Sequence, residues 1–450
     1  MRSAGVEKAL ICAWYGPGGA LISNEEVLDA TRSHPGPGCR MGCRVMTRRG
    51  SAWCRRPGAC AGLALLFLGG AALGAQVAAP VIRPLRTQPA VTLAVTAGFR
   101  DWGPATLAGD TIIGTNMTGR GGVFAFDAVT GKPRWTWRGD GSGGVSVSAP
   151  VVVRGDTAVV LLKATYPNRL VGLSLATGRE RWHVEVDVLR EAELGAHEGL
   201  VFVQTTDGHL RAYDVQTGKA AWAFPFGGES GACGSRPIVT DGVAYLTGGL
   251  EAYVSAGAGA RDRVWAIDAT TGQEKWRHRA ESASCADDPV VVTADGVFVT
   301  IDGDRKTYGL DRATGRRRWV QTITRTTDLE RDYAVVGLVD AGEVIVGMTS
   351  LALVAFDPAS GRVAWELPGR YRAQVPVLAA VGGVLYFQGS PEARPAPSTS
   401  GTLHALDLST RALLWSFTRP TDEPDWPFGY LLPAGHGMWV DTYRTLLRLE

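Results

Sequence analysis

One pattern of apolar and polar positions recurs along the chain: a short apolar alternation, an aspartate, two residues, Thr-Gly, three residues and a tryptophan. It first reads Phe124-Ala-Phe-Asp-Ala-Val-Thr-Gly-Lys-Pro-Arg-Trp135. The alternation before the aspartate predicts a strand. Asp-x-x-Thr-Gly predicts a tight turn, because the aspartate side chain accepts from backbone amides two and three residues on and the glycine supplies a positive φ. The tryptophan then falls on the outgoing strand and is large enough to wedge between neighbouring sheets. Seven copies are present. Their marks are Asp127, Gly131 and Trp135; Gly178 and Trp182, with Ser174 in place of the aspartate; Asp214, Gly218 and Trp222; Asp268, Gly272 and Trp276; Asp311, Gly315 and Trp319; Asp357, Gly361 and Trp365; and Asp407 and Trp415, where Arg411 replaces the glycine. Six near-identical copies make these aspartates turn caps rather than catalytic groups.

The tryptophans recur with a mean spacing of about 47 residues, the length of a four-stranded propeller blade. Upstream of each motif stand two more strands. Pro237-Ile-Val-Thr-Asp-Gly-Val-Ala-Tyr-Leu reads as strand, Asp-Gly turn, strand, and the residues from Pro289 repeat the layout. Each unit is therefore strand A, turn, strand B, loop, strand C, Asp-x-x-Thr-Gly turn, and strand D with its tryptophan. The tail, Leu446-Leu-Arg-Leu-Glu450, aligns with Leu353–Asp357, so an eighth repeat stops at its aspartate position and lacks strand D. A lone strand at 90–97 precedes the first repeat. Pairing it with the tail would close the ring and leave no open edge between the termini. The expected fold is all-β, an eight-bladed β-propeller of four-stranded antiparallel blades over residues 88–450. A seven-bladed ring with the last segment packed outside is the rival arrangement.

The repeated Ala-x-Asp-x-x-Thr-Gly-x-x-x-Trp signature resembles the pyrroloquinoline-quinone-like propeller repeat family across nearly all of 88–450. Members of that family include quinoprotein alcohol and glucose dehydrogenases, and also the non-enzymatic propeller lipoprotein of the bacterial outer-membrane barrel-assembly machinery. Fold alone does not choose between them. A quinoprotein dehydrogenase needs a calcium site beside the quinone, an aspartate base and aromatic stacking partners. The larger alcohol-oxidising members carry a vicinal Cys-Cys disulfide, whereas Cys233 and Cys285 stand 52 residues apart. A Cys-x-x-Cys-His haem motif is also lacking. No catalytic residue carries over, and the resemblance is nearer to the non-enzymatic lipoproteins. It implies no cofactor, with pyrroloquinoline quinone and calcium expected only under the dehydrogenase alternative.

Composition refines the picture. The chain has 450 residues, 45% of them hydrophobic, enough for a sizeable core, and its 58 glycines fit a fold made of turns. The net charge of +2 conceals an asymmetry. Nine Lys/Arg and four Asp/Glu precede Gln76, which leaves 37 basic and 40 acidic residues in the body. A near-neutral body excludes general nucleic-acid binding, which requires clustered positive charge. Residues 47–56 are basic, and an uncharged, Gly/Ala-rich apolar run from Pro57 to Ile82 follows. These features predict a signal peptide over 46–75, cleaved after Ala75, or an uncleaved membrane anchor. Residues 1–45 are then an over-extended or disordered stretch ahead of Met46, and 76–87 a linker. Five of seven cysteines lie before the cleavage point. The predicted location is the periplasm or cell envelope, with membrane attachment only if the apolar run is retained.

Long insertions at 248–263, 322–332, 389–401 and 418–429 all connect B to C or D to A, which places them on one face. Long loops on a rigid scaffold are where binding usually resides. Residues just before strand A should line the axial mouth on that face: Trp102, Glu193, Arg236, Asp288, Asp332 and Arg372. They are candidate ligand contacts, or a solvated ring of ion pairs. Cys233 and Cys285 each stand four residues before a strand-A proline; in an oxidising compartment they are expected to form a disulfide between blades four and five. No metal site is expected: His404 and His436 lack ligand spacing, and Asp302-Gly-Asp304 is a lone turn. These features together predict a monomeric exported scaffold that binds an envelope protein or peptide through its loop-rich face. A quinone-dependent dehydrogenase and an extracytoplasmic sensor domain on a membrane anchor are the alternatives.

Overall fold

The computed structural model describes residues 82–96, 103–116, 122–139, 150–163, 168–189, 192–226, 232–250, 261–280, 289–301, 306–322, 335–371, 378–390, 402–418, 428–442 and 445–450, with two-residue strands at Tyr15–Gly16 and Gly19–Ala20. The chain divides into two compact units, Met1–Gln76 and Val77–Glu450. In the first, the two short strands pair with each other. The segment at 46–75 lies outside the described residues, as does the Asp302-Gly-Asp304 turn. No helix among the described residues is long and apolar enough to cross a membrane.

The second unit is an eight-bladed propeller of antiparallel sheets. Blade one shows the plan: A is Thr106–Ala108, B Thr111–Thr115, C Val123–Asp127 and D Pro133–Trp137, each paired with the next. Strands B and C are buried along their length, as in Thr157–Leu162 of blade two, where every residue is inside. Neighbouring blades cover both faces of these strands, so their sequences read as continuous apolar runs. Strand D, at the rim, alternates: Glu274–Ala280 has every other residue exposed.

The aspartate turns form as the repeat predicts. Asp127 Oδ1 accepts from the backbone N–H of Val129 and Thr130 and from the Thr130 hydroxyl. Asp214, Asp268 and Asp407 repeat these contacts, as does Asp357 with Ser360. Gly131, Gly178, Gly218, Gly272, Gly315 and Gly361 all have φ between +67° and +73°. The glycines serve a second purpose. A Cβ on Gly178 would stand 2.5 Å from the indole of Trp135, and one on Gly272 would stand 2.7 Å from that of Trp222. Trp135, Trp182, Trp222, Trp276 and Trp319 thus each seat under the turn glycine of the next blade, whereas Arg411 stands at the corresponding position after Trp365. The indole N–H of a seated tryptophan then donates into that turn, Trp135 to Leu175 O (2.7 Å), Trp182 to Val215 O (3.0 Å), Trp276 to Arg312 O (2.9 Å) and Trp319 to Pro358 O (3.0 Å). Trp222 keeps the seat, but its N–H meets no acceptor; nothing in the structure explains the exception.

The ring closes through the two ends of the chain. Val91–Thr96 runs antiparallel to Thr445–Leu449, with Val91 opposite Leu449 and Thr96 opposite Thr445. It is strand D of blade eight, next to C, with B (Gly437–Asp441) and then A (Leu431–Ala434) beyond. Leu93 takes the wedge position under Gly131, where a Cβ would lie 2.9 Å from its methyl. Blade eight has no Asp-x-x-Thr-Gly turn to receive Trp415. The carbonyl of Leu85 accepts that indole instead (2.9 Å), while Leu85 N–H donates to the Tyr386 hydroxyl and Arg86 pairs with Asp407 at 2.6 Å.

Candidate functional site

The A–B and C–D turns form one end of the ring, and the longer B–C and D–A connections form the other. Of the residues expected at the axial mouth, Glu193 and Arg236 are described; Trp102, Asp288, Asp332 and Arg372 lie outside the described residues. Arg236 is exposed and Glu193 half-buried. The main chain of Cys233 lies in a short strand, Ala232–Gly234, that pairs with strand B of blade four opposite Gly249. Its proposed partner Cys285 lies outside the described residues.

Tyr430 joins this region and was not among the expected residues, although it stands immediately before a strand A as they do. Its ring is 37% exposed. Burial of the hydroxyl, and then the charges of Glu193 and Asp441, raise its pKa. Glu193 is carried by blade three and Tyr430 by blade eight.

Beneath the mouth lies a belt of buried polar side chains that strand periodicity does not reveal. Counted from the residue after the A–B turn, the fifth residue of strand B is Thr115, Leu161, Gln204, Thr247, Thr300, Met348, Gln388 and Asp441 in blades one to eight. Six are polar, and all eight are at most 4% exposed. Blade three shows how such a group is satisfied. Gln204 Nε2 donates to Thr247 O (2.7 Å) of blade four, its Oε1 accepts from Ser235 N–H (2.8 Å), and the Ser235 and Thr247 hydroxyls bond to each other. Comparing the repeats at this offset would have exposed the belt in the sequence.

Asp441 is the ionisable member. Burial pushes its pKa up to about 8, against the backbone N–H groups of Tyr430 and Gly429 that favour the carboxylate. Tyr430 N–H bonds Oδ1 closely. His404 is buried with both ring nitrogens engaged, at Ser416 Oγ and Gly389 O (2.8 Å each), and burial lowers its pKa. It acts as a structural bridge.

At the tight-turn end, a cleft of about 390 Å³ opens between blades four and five, lined by Tyr245, Trp276, Lys275, Arg312, Asp295 and Asp311 among others. Arg312 spans it, donating to the Tyr245 hydroxyl and Asp241 of blade four and to Thr293 O of blade five. Lys275 is paired with Asp268, and Asp295 with Arg318. The cleft's charges are thus matched internally.

Among the described residues, no group of three or more His, Cys, Asp or Glu could hold a metal ion. Burial also favours the neutral form of Asp441, a poor calcium ligand. The described residues therefore do not fit a calcium–quinone centre. What they offer is hydrogen bonding by amides, hydroxyls and a protonated acid, around an exposed tyrosine.

The profile of the family described as outer membrane protein assembly factor BamB matches residues 120–253 and 234–375, more than half of the chain. The chain is similar to the serine/threonine-protein kinase AfsK of Streptomyces griseus, 29% identical over 191 residues, which cover 40% of this chain and 22% of the kinase. It is similar to outer membrane protein assembly factor BamB of Nitrosomonas eutropha, 27% identical over 213 residues, 46% of this chain and 48% of that protein. Quinoprotein alcohol dehydrogenase PedH of Pseudomonas putida is 27% identical over 176 residues, 35% of this chain and 27% of the enzyme. The chain thus spans less than half the length of each of these relatives. Among solved structures, BamB from Moraxella catarrhalis shares the fold, with a TM-score of 0.59, 17% identity, and coverage of 81% of this chain and 98% of that one.

Proposed function

This chain belongs to the family described as outer membrane protein assembly factor BamB, and on that premise we propose that it is an exported propeller scaffold that holds a protein or peptide partner in the cell envelope. The loop-rich face is the contact surface, with Glu193, Arg236 and Tyr430 at its axial mouth. What supports the reading is the family match over 120–253 and 234–375, together with exposed Arg236 and Tyr430 close to the starts of strands A. The basic and apolar stretch over 46–75 supports export. A photo-crosslinking residue at Arg236 tests the reading in cells that make the full chain. Adducts are expected from position 236 and not from Lys132 on the opposite end; adducts from Lys132 alone would contradict it.

Two observations keep other readings in view. Similarity to PedH favours a quinone-dependent dehydrogenase. Adding pyrroloquinoline quinone and calcium should then raise the Tm and drive dye reduction; silence in both assays supports the scaffold. The uncharged run from Pro57 to Ile82, long enough to span a bilayer, favours an extracytoplasmic sensor domain on a membrane anchor. That reading requires the apolar run to remain in the mature protein, which intact-mass measurement of the N-terminus decides.

A further inference from the structure

Gln204 and Gln388 occupy the same position, the fifth residue of strand B, in blades three and seven. Their strand partners are equivalent too: Gln204 faces Leu210 and Gln388 faces Leu403 on strand C. Gln204 bridges a carbonyl and an N–H of the next blade, so each of its two polar atoms has a partner. Gln388 is 2% exposed, and neither its Nε2 nor its Oε1 has a protein partner. The register explains the difference. Pairing Ile238 with Tyr245 and Leu432 with Trp439 makes Ser235 and Thr247 of blade four equivalent to Gly429 and Asp441 of blade eight. In blade four the serine N–H serves the glutamine. In blade eight the corresponding Gly429 N–H is turned to Asp441. A Cβ on Gly429 would strike that carboxyl, so the glycine lets the acid sit there. Gln388 Oε1 thereby lacks the N–H that serves Gln204, and neither it nor Nε2 has a protein partner. Buried amides are almost always paired, because desolvation without a partner is unfavourable.

We propose that the seam between blades seven and eight, at the loop-rich end, is a binding site for the backbone of an extended peptide, with Gln388 as its recognising amide. The peptide C=O accepts from Gln388 Nε2 and the N–H of a peptide group donates to Oε1. This is the pairing that Thr247 O and Ser235 N–H make with Gln204. An extended chain is the fitting guest because the N–H and C=O of one residue point to the same side of the strand and can together meet the two atoms of a carboxamide. The site is closed to solvent, so the seam parts on entry, and the neighbouring Tyr430 and Glu193 lie toward the mouth. The inference deepens the scaffold reading and rests on it: it names the part of the partner that is held.

The test uses the full chain, ¹⁵N-labelled, and two probes. N-methylacetamide is the minimal peptide group, and Ac-Ala-Thr-Ala-Thr-Ala-NH₂ is a strand-forming peptide. The side-chain resonances of Gln388 are identified by their loss in Gln388→Leu, which removes both hydrogen-bonding atoms and keeps the shape. Both probes should shift these resonances saturably, the pentapeptide with at least tenfold lower Kd, while those of Gln204 stay in place. Gln388→Leu should weaken the pentapeptide at least tenfold and should not lower the Tm. No saturable shift, an equal shift at Gln204, or a long-lived water contact to the Gln388 amide that persists at saturation would each overturn the proposal. Crosslinking at position 236 reports separately on the scaffold reading. Adducts without an amide shift remove the seam alone, and an amide shift without adducts removes the scaffold reading.

Discussion

The ordinary seams between blades and the two seams that flank blade eight reach one end with different parts. In the seams of Trp135, Trp182, Trp276 and Trp319 an indole lies under a turn glycine and donates into the same turn, so one sequence motif supplies wedge, seat and acceptor. Around blade eight the parts come from elsewhere. Leu93 is the wedge under Gly131, and the acceptor for Trp415 is Leu85 O, from the segment ahead of the closing strand. The requirement is therefore positional: an apolar wedge against a surface without Cβ, and a carbonyl within reach of any indole N–H. A second difference lies deeper. The blade three–four seam gives both polar atoms of its buried amide a partner, and the blade seven–eight seam gives the equivalent N–H, that of Gly429, to Asp441.

The comparison is broken most severely by deleting residues up to Thr96. Blade eight then loses its outer strand and the Leu85 acceptor, and strand C becomes an open edge. The expected loss approaches the whole stability of a typical domain, about 5–15 kcal/mol, read as loss of cooperative urea unfolding or as association on size exclusion. An unchanged urea midpoint would refute the closing role.

Asp441 gives the next effect. Its folded pKa of about 8 lies above the ordinary 3.8, so the native chain holds a proton that the unfolded chain releases. The stabilisation is complete below about pH 4 and is lost as pH rises through 8. Asp441→Asn should flatten this dependence and be more stable than the parent at pH 8.5 by roughly 3–5 kcal/mol. Parallel urea midpoints from pH 4.5 to 8.5 would contradict it.

Two glycines sharpen the ordinary seam. Gly178→Ala meets both a positive φ and the Trp135 indole, and should cost about 2–4 kcal/mol. Gly109 has φ +60° and nothing within 4 Å of a built Cβ, so Gly109→Ala should cost only about 1 kcal/mol. Equal losses would mean that backbone conformation alone makes glycine necessary. The smallest change runs the other way. Arg411 holds φ +61° where the other turns have glycine, and Arg411→Gly should raise stability by about 0.5–1 kcal/mol in thermal unfolding.

Much of the fold was legible in the sequence because its turn chemistry is local. Asp127, Thr130 and Gly131 lie within five residues, and the same spacing returns blade after blade. Even ring closure could be read, since Leu446–Glu450 stops short of a turn that an isolated strand could replace. The role of Leu85 was not legible: it meets a tryptophan 330 residues away and belongs to no repeat. The buried belt was hidden because strand B is covered on both faces, so a polar fifth residue breaks no alternation. Tyr430 was within reach of the rule that selected Glu193 and Arg236, whereas the neutrality of Asp441 follows only from its burial.

Amide hydrogen exchange on the full chain tests the joined ends most directly. The hydrogen-bonded amides of Val91–Thr96 should be protected as strongly as those of Thr445–Leu449 and should exchange together with them. Exchange of the N-terminal strand within seconds, while the C-terminal strand stays protected, would contradict the shared blade.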